Sequence, residues 1–196
     1  MEGIEDLPLY EKGNFDFNKL IPMPESLNVP AGSTNAEDIY IYLSEMFTKD
    51  IVNDPLAKKL IMSMFGENYI LTVGERCKKY NLGDTILAQR YCSGKQLVEN
   101  YQKYGYPTWY EWCDANWGTK WNACDTSIGD GSVTFFTAWD APEPIFKELS
   151  KRYPDKCIRV ESDYEGGYRY VADYHAGECI EAYDEAEDDE EDDEWC

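Results

Sequence analysis

The spacing of apolar residues changes midway along this chain, close to Gly118. Before that point apolar side chains recur at intervals of three and four residues, which is typical of amphipathic helices. After it, β-branched and aromatic residues alternate with polar ones, which is typical of strands. Because the helical and strand patterns occupy separate parts of the chain, the sequence predicts an α+β protein.

The helical pattern covers residues 36–106, which we expect to form a helical lobe. An N-terminal cap at Asn35 and a proline at the first turn, Pro55, mark the first two helices. The spacing predicts helices at 36–47, 55–64, 69–79, 85–91 and 94–104, with one more at 107–117. Residues 1–35 contain several prolines and few helical signals, so we expect an extended N-terminal segment that packs on the core.

The strand pattern belongs to residues 107–183, which we expect to form the α+β part. We predict strands at 132–139, 156–164, 168–174 and 178–183, and an amphipathic helix at 144–153. The glycine-containing segments 129–131 and 166–167 are typical of turns between strands. The resulting order of strand, helix, strand and hairpin fits an antiparallel sheet that is packed by helices.

The C-terminal residues 184–196 are dominated by acids: ten of the eleven residues from Asp184 to Glu194 are Asp or Glu. So many like charges cannot pack, and we expect a disordered acidic tail. Three functions remain open for it: solubility, contact with a basic partner, or imitation of nucleic-acid phosphates. The chain has a net charge of −21, and its body is acidic too, which opposes binding to a phosphate backbone.

Catalytic and metal-binding patterns are absent from the sequence. The seven cysteines form no C-x-x-C pair and there is a single histidine, so the spacing of a zinc site is missing. We find no nucleophile with a nearby base and no phosphate-binding glycine loop. We therefore expect no catalytic residue, no metal and no cofactor. With no leader or membrane segment evident, mostly buried free thiols indicate a cytoplasmic protein.

Four of the six tryptophans fall within residues 107–121, at Trp109, Trp112, Trp117 and Trp121. Each indole can bury about 200 Å² and brings one N–H that needs a partner. The cluster can therefore serve as part of the core or as a contact surface, and the sequence leaves both open. Lys120 lies between two of these indoles, where we expect a cation–π contact.

Three segments carry a resemblance to a known family: FDFNKLIPMPESLN at 15–28, NYQKYGYPTWYEWCDANWGTKWNA at 100–123, and FFTAWDAPEPIFKELSKRYPD at 135–155. The chain resembles the YubB-type ferredoxin-like proteins of phages and plasmids over residues 15–175. The resemblance implies a ferredoxin-like sheet with helices on one face and an inserted helical lobe. It also implies carriage on mobile genetic elements, and it transfers no catalytic residues.

Three observations suggest a non-enzymatic accessory protein of a phage or mobile element. The chain resembles proteins of mobile elements, it is strongly acidic, and it has no recognisable catalytic groups. We expect it to bind and inhibit a host nucleic-acid-handling defence system, of the anti-CRISPR or anti-restriction type, as an acidic nucleic-acid mimic. Its partner would be a basic host protein such as a CRISPR effector or defence nuclease, in the cytoplasm, with no direct nucleic acid and no membrane. The expected partner-binding residues are Asp163, Glu165, Asp184, Glu185, Glu187, Asp188, Asp189, Trp117, Lys120 and Trp121.

Two other functions fit the sequence less closely. A nucleic-acid-binding or processing ferredoxin-like module would stack bases on aromatic side chains of the sheet. The candidates for such stacking are Phe135, Trp139, Tyr168 and Tyr170. A phage accessory or structural interaction protein is the third possibility. The sequence leaves the oligomeric state open.

Overall fold

The computed structural model describes residues 9–11, 13–66, 69–79, 82–129, 131–165 and 167–186. The chain divides into two compact units: a helical unit, Met23–Trp112, and a mixed unit that combines Met1–Pro22 with Cys113–Cys196. We had placed the boundaries at 35/36 and 106/107. Asn100 explains the difference, because its side-chain amide donates to the carbonyls of Ser26 (2.8 Å) and Pro107 (3.0 Å) and so holds both flanking segments in the helical unit.

The helical unit packs its helices around one apolar core. Its helices are α1 (Thr34–Leu43), α2 (Pro55–Phe65), α3 (Tyr69–Lys79) and α4 (Asp84–Tyr104), and α5 (Trp109–Trp117) follows them. The Asp54 carboxylate accepts from the backbone N–H of Ala57 at 2.9 Å and caps α2, where Pro55 begins the first turn. Side chains of Ile39, Leu60 and Val73, from three different helices, are fully buried together.

The first helix is shorter than its apolar spacing predicts, because the chain leaves α1 at Ser44. The next three residues all have left-handed φ angles: Glu45 at 47°, Met46 at 55° and Phe47 at 73°. The Ser44 hydroxyl accepts from the backbone N–H of Phe47 at 3.1 Å and stabilises this reversal. Asn35 is not the cap, since it lies inside the first turn and its amide donates to the Pro30 carbonyl at 2.9 Å.

Helix α4 is continuous where the sequence predicts two helices separated near Gly94. Glycine often ends a helix, but here it has a packing role. A Cβ atom at Gly94 would collide with the backbone carbonyl of Asp38, so only glycine lets α1 approach α4 this closely. The helix ends instead at Gly105, which has a left-handed φ of 81°.

In the described part of the mixed unit, four antiparallel pairings form three sheets, and a helix lies on the largest sheet. Its elements are β1 (Tyr10–Glu11), β2 (Asn14–Phe15), β3 (Cys124–Gly129), β4 (Ser132–Phe136), α6 (Glu143–Arg152), β5 (Cys157–Tyr164), β6 (Tyr168–His175) and β7 (Glu178–Ala186). β1 pairs with β2, β3 pairs with β4, and the larger sheet has the order β5-β6-β7. The first three strands were not predicted.

One face of the β5-β6-β7 sheet is covered by α6. Phe146 of this helix packs against Val160, Ala172 and the fully buried Tyr174 of the sheet. The Arg152 guanidinium at the end of α6 donates to the Leu20 carbonyl at 2.7 Å, so the N-terminal segment is tied to this core. The other face of the sheet carries charged side chains. Successive side chains of a strand point alternately towards α6 and towards this charged face, as they do in a sheet that is covered on one face.

Strand β7 extends further than the charge pattern predicts. We had assigned residues 184–186 to the disordered tail, but they pair with β6 in register, with Glu185 opposite Arg169. Opposite charges across a strand pair stabilise it, and the Tyr168 hydroxyl also donates to Asp184 at 2.7 Å. The rest of the predicted tail, residues 187–196, lies outside the described residues. Within the described part, no helix is long and apolar enough to cross a membrane.

Candidate functional site

The tryptophan cluster divides between the core and the surface. Trp112 and Trp117 are buried, and only 3% of Trp117 is exposed. Its indole N–H donates to the Ile21 carbonyl at 2.9 Å, and its ring meets Phe17 edge-on. Trp117 was expected at a partner-binding surface, but this burial places it out of a partner's reach. Trp121 is different, because 51% of it is exposed.

The exposed Trp121 shares a lysine with a second exposed indole. The Lys120 ammonium nitrogen lies 4.5 Å from the ring centre of Trp121 and 3.6 Å from that of Trp139. The expected cation–π contact of Lys120 is therefore present on Trp121, while Trp117 takes no part in it. We call these three residues the indole site. Trp139 is 68% exposed, and sequence analysis had not linked it to Lys120.

The backbone at Trp139 is strained in a way that projects this indole outward. Its φ angle is +65°, a left-handed value that bulky residues rarely adopt. The backbone N–H of Asp140 donates to the Ala138 carbonyl at 2.8 Å, which closes a γ-turn with Trp139 at its centre. Turns of this hand are rare, and a residue held in one needs support from its surroundings.

That support comes from two threonines beneath the indole site. The buried Thr119 hydroxyl donates to the Ala138 carbonyl at 2.6 Å and lies 3.0 Å from the Thr137 hydroxyl. Thr137 donates in turn to the Trp121 carbonyl at 2.8 Å. The backbones that carry the two indoles are thus joined through one small network, so the rings are held in place before any partner arrives.

Tyr164 supports the turn from the sheet side. Its hydroxyl donates to the Asp140 carboxylate at 2.8 Å and accepts from the backbone N–H of Ala141 at 3.2 Å. Burial, together with the hydrogen bond to Asp140, raises the pKa of Tyr164 to about 12. The phenol therefore stays protonated at neutral pH and remains a donor to Asp140.

A second candidate surface is the face of the β5-β6-β7 sheet opposite α6. The pairing register places charged residues from all three strands on this face, which we call the acidic face. Its carboxylates are Glu161, Asp163, Asp173, Glu178, Glu181 and Glu185, and its guanidinium groups are Arg159 and Arg169. The acids outnumber the bases, so the face is negative, and all of these residues are exposed except the half-buried Arg169 and Asp173.

Two arginines pair with the β5 acids of this face. Arg169 lies 2.6 Å from Asp163 and 3.6 Å from Glu161, and Arg159 lies 3.2 Å from Glu161. The pKa of Arg169 is raised, first by its hydrogen bond to Asp163, and the pKa of Arg159 is raised, first by its hydrogen bond to Tyr183. Among the described residues, Glu178 and Glu181 of β7 form no ion pair, so the least compensated charge lies along that strand.

The structure brings some of the predicted acids together and separates others. Asp163 and Glu185 lie on the acidic face, opposite Arg169 on its two sides. Asp184 is on the other face of β7, where it accepts from Tyr168. Glu165 is exposed in the turn after β5. The remaining predicted acids lie outside the described residues: Glu187, Asp188 and Asp189.

The four aromatic residues proposed for base stacking do not form one platform. Phe135 is half-buried, with ring centres of Phe15 and Phe17 at 5.5 and 5.6 Å, so it belongs to the core. Tyr170 packs against the cluster beneath α6. Of the four, Tyr168 and Trp139 are exposed: Tyr168 shares a face of β6 with Tyr170 but lies at the end of the strand, and Trp139 follows the end of β4.

A buried ionic cluster in the helical unit has a structural role. Glu37 of α1 is 4% exposed and binds Arg90 at 2.7 Å and Arg76 at 2.9 Å. Its neighbour Asp38 lies 3.1 Å from Arg90, and burial raises the pKa of Asp38 to about 6. Because charges from α1 meet charges from α3 and α4, the cluster aligns these three helices.

The cysteines are less buried than expected. In the described part, Cys77 and Cys113 are buried, and burial raises their pKa values to about 11 and about 12, which makes them poor nucleophiles at neutral pH. The exposed thiols are those of Cys92, Cys124, Cys157 and Cys179. The expectation of mostly buried thiols is wrong, because three of these residues lie on strands with an exposed face. No group of three or more metal-ligating side chains occurs among the described residues.

The comparisons with known proteins concern the C-terminal part of the chain. No curated protein and no solved structure shows a significant match. The expected fold class is confirmed as α+β with antiparallel sheets and helices, and the helical unit interrupts the mixed unit along the chain. Residues 116–195, which include both candidate surfaces from Lys120 onward, match the model of a family described as the ferredoxin-like domain in Api92-like protein.

Proposed function

We propose that this chain is an accessory protein of a phage or plasmid, of the YubB type, that inhibits a host nucleic-acid-handling defence system. It does so by binding a basic surface of a CRISPR effector or a defence nuclease. The acidic face of β5-β6-β7 then occupies the channel that normally receives nucleic-acid phosphates. No catalytic step by the chain itself is required.

The observation that carries the proposal is the group of carboxylates on β7, of which Glu178 and Glu181 form no ion pair among the described residues and Glu185 lies opposite Arg169. Glu178, Glu181 and Glu185 share one face of this strand and are exposed. The register shifts between Glu178 and Glu181, and Tyr183 lies on the same face between Glu181 and Glu185, so the strand presents three negative charges on one face at unequal spacing. A basic channel meets several negative charges in a phosphate backbone too, and opposite potentials accelerate encounter between proteins.

The test is competition with nucleic acid, measured on a panel of CRISPR effectors and restriction nucleases. Displacement of labelled DNA by the full chain should give a half-maximal inhibitory concentration that rises with DNA concentration, and an inhibition constant that rises with salt. The triple variant E178Q/E181Q/E185Q should inhibit about tenfold more weakly or worse, because each lost interfacial charge reduces electrostatic attraction. The matched control is E25Q/E75Q/E99Q, which changes the net charge equally at exposed positions of the helical unit.

The contribution of the tail can be separated from that of the face. Truncation after Ala186 removes the remaining acids and keeps all of β7. If inhibition survives this truncation but not the β7 substitutions, the sheet face is the binding surface. Failure to displace DNA from any panel member at saturating concentration refutes the proposal, as does equal inhibition by the β7 triple variant and its control.

A second candidate function, nucleic-acid binding, is favoured by the exposed indoles with Lys120 beside them. Bases stack on such rings, and a lysine can contact a phosphate. The chain's acidity opposes it. Titration of labelled single-stranded RNA and DNA at low salt decides between the two, because an acidic mimic should bind neither.

A further inference from the structure

We infer that the indole site is a receptor for an arginine side chain of a protein partner, and that Lys120 is an internal ligand which the incoming guanidinium displaces. This goes beyond the proposed inhibition, because it concerns a separate site and names the residue type that enters it. It shares with the proposed function only the positive charge of the partner.

The first argument is that the site already holds a cation. The Lys120 ammonium lies within 6 Å of both ring centres, at 3.6 Å from Trp139 and 4.5 Å from Trp121. Tryptophan is the aromatic side chain that attracts cations most strongly, and a cation over its face gains about 0.5–1 kcal/mol at an exposed site. The contact within the chain therefore shows which chemistry these two rings recognise.

The second argument is that folding stability does not account for the site. Trp139 and Trp121 leave 68% and 51% of their surface in solvent, so much of the stabilisation that full burial of an indole would give is not realised. The γ-turn at Trp139 costs on the order of 1–3 kcal/mol, and it turns the indole away from the core. A strained backbone that exposes a large apolar ring, and that is braced by buried Thr119, is typical of a binding site.

The third argument selects the occupant. A chain with a net charge of −21 repels anionic ligands and attracts cationic ones. Between the two basic side chains, the planar guanidinium of arginine stacks on an indole face, whereas the ammonium of lysine is strongly hydrated. Among the described residues, the Lys120 ammonium is held only by these two ring contacts, so its flexible chain can move aside at a cost of about 1–2 kcal/mol.

The test uses N-acetyl-triarginine amide as the probe and the full chain at constant ionic strength. Indole N–H resonances report each tryptophan separately. We expect saturable shifts of the Trp121 and Trp139 signals, and a loss of affinity of about fivefold or more for W121A and for W139A. F136A is the control, because Phe136 is an exposed aromatic of the same unit outside the site. K120M should bind the peptide about fivefold more tightly, since the competing ammonium is gone.

Three results would overturn the inference. One is an equal peptide affinity of W139A and F136A, which would mean that the peptide is attracted to the acidic chain in general and not to the indole site. Another is weaker peptide binding by K120M. The third is binding of oligothymidylate to the indole site that depends on Lys120, because the site would then serve a nucleic acid. The β7 variant E178Q/E181Q/E185Q should keep the resonance shifts, so failure of the proposed inhibition is distinguishable from failure of this inference.

Discussion

Replacement of Thr119 by valine removes a buried hydroxyl that ties the γ-turn at Trp139 to the mixed unit. Valine has a similar shape, so the change tests the hydrogen bond more than the packing. The lost bond to the Ala138 carbonyl is short, at 2.6 Å, and Thr119 is 2% exposed. Leaving a buried group with fewer partners costs about 1–3 kcal/mol. Because Ala138 still accepts from Asp140, we expect a loss of about 1–2 kcal/mol.

Urea unfolding followed by far-ultraviolet circular dichroism measures this loss, and the triarginine titration measures its effect on the indole site. T119V should bind the peptide several-fold more weakly, because the turn that presents Trp139 is no longer braced. The control is T134V, at an exposed position of β4, which should change stability by less than about 0.5 kcal/mol. A T119V protein as stable as T134V would refute the bracing role, and so would unchanged peptide affinity in a destabilised T119V protein.

Three further predictions concern stability. Since burial raises the pKa of Asp38 from 3.8 to about 6, ionisation of this carboxyl should destabilise the fold as pH rises through that range, so the stability of the wild type relative to D38N should fall between those pH values in urea titrations. G94A should lower the urea midpoint because its Cβ meets the backbone of α1, whereas G32A, where nothing lies within 4 Å, should not. W117F should cost about 2 kcal/mol in thermal or urea unfolding, since the Ile21 carbonyl loses its donor.

Helices and strands that are determined by residues close together in the chain were predictable from the sequence. Helix α3 has the predicted bounds, Tyr69–Lys79, because its apolar residues keep the helical period throughout. The start of α2 follows from two neighbouring residues: Asp54 caps the helix by accepting from the N–H of Ala57, and Pro55 is its first residue. The β5-β6 hairpin follows from alternation on both sides of a glycine-containing turn.

Elements that depend on distant contacts were not predictable. Strand β3 has few β-branched residues and a bulge near Asp125, and it becomes a strand because β4 pairs with it. Gly94 looks like the start of a second helix after a break, until the backbone of α1 is placed against it. The conformation of Trp139 is held by Thr119, twenty positions earlier, and no pattern in the 135–140 segment signals that contact. Two of the three residues of the indole site, Lys120 and Trp121, were therefore brought together from sequence, whereas Trp139 was singled out only as a candidate for base stacking.

The two candidate surfaces respond differently to salt, and this difference explains why an acidic protein would retain both. Carboxylates on an exposed strand act over several ångströms through water, and at physiological ionic strength their field is screened beyond about 8 Å. They accelerate encounter with a basic partner but hold it weakly once salt competes. A guanidinium stacked on Trp139 is in van der Waals contact with the ring and excludes ions from that contact. The indoles can therefore slow dissociation after the acidic face has directed the approach, and neither surface alone would supply both effects.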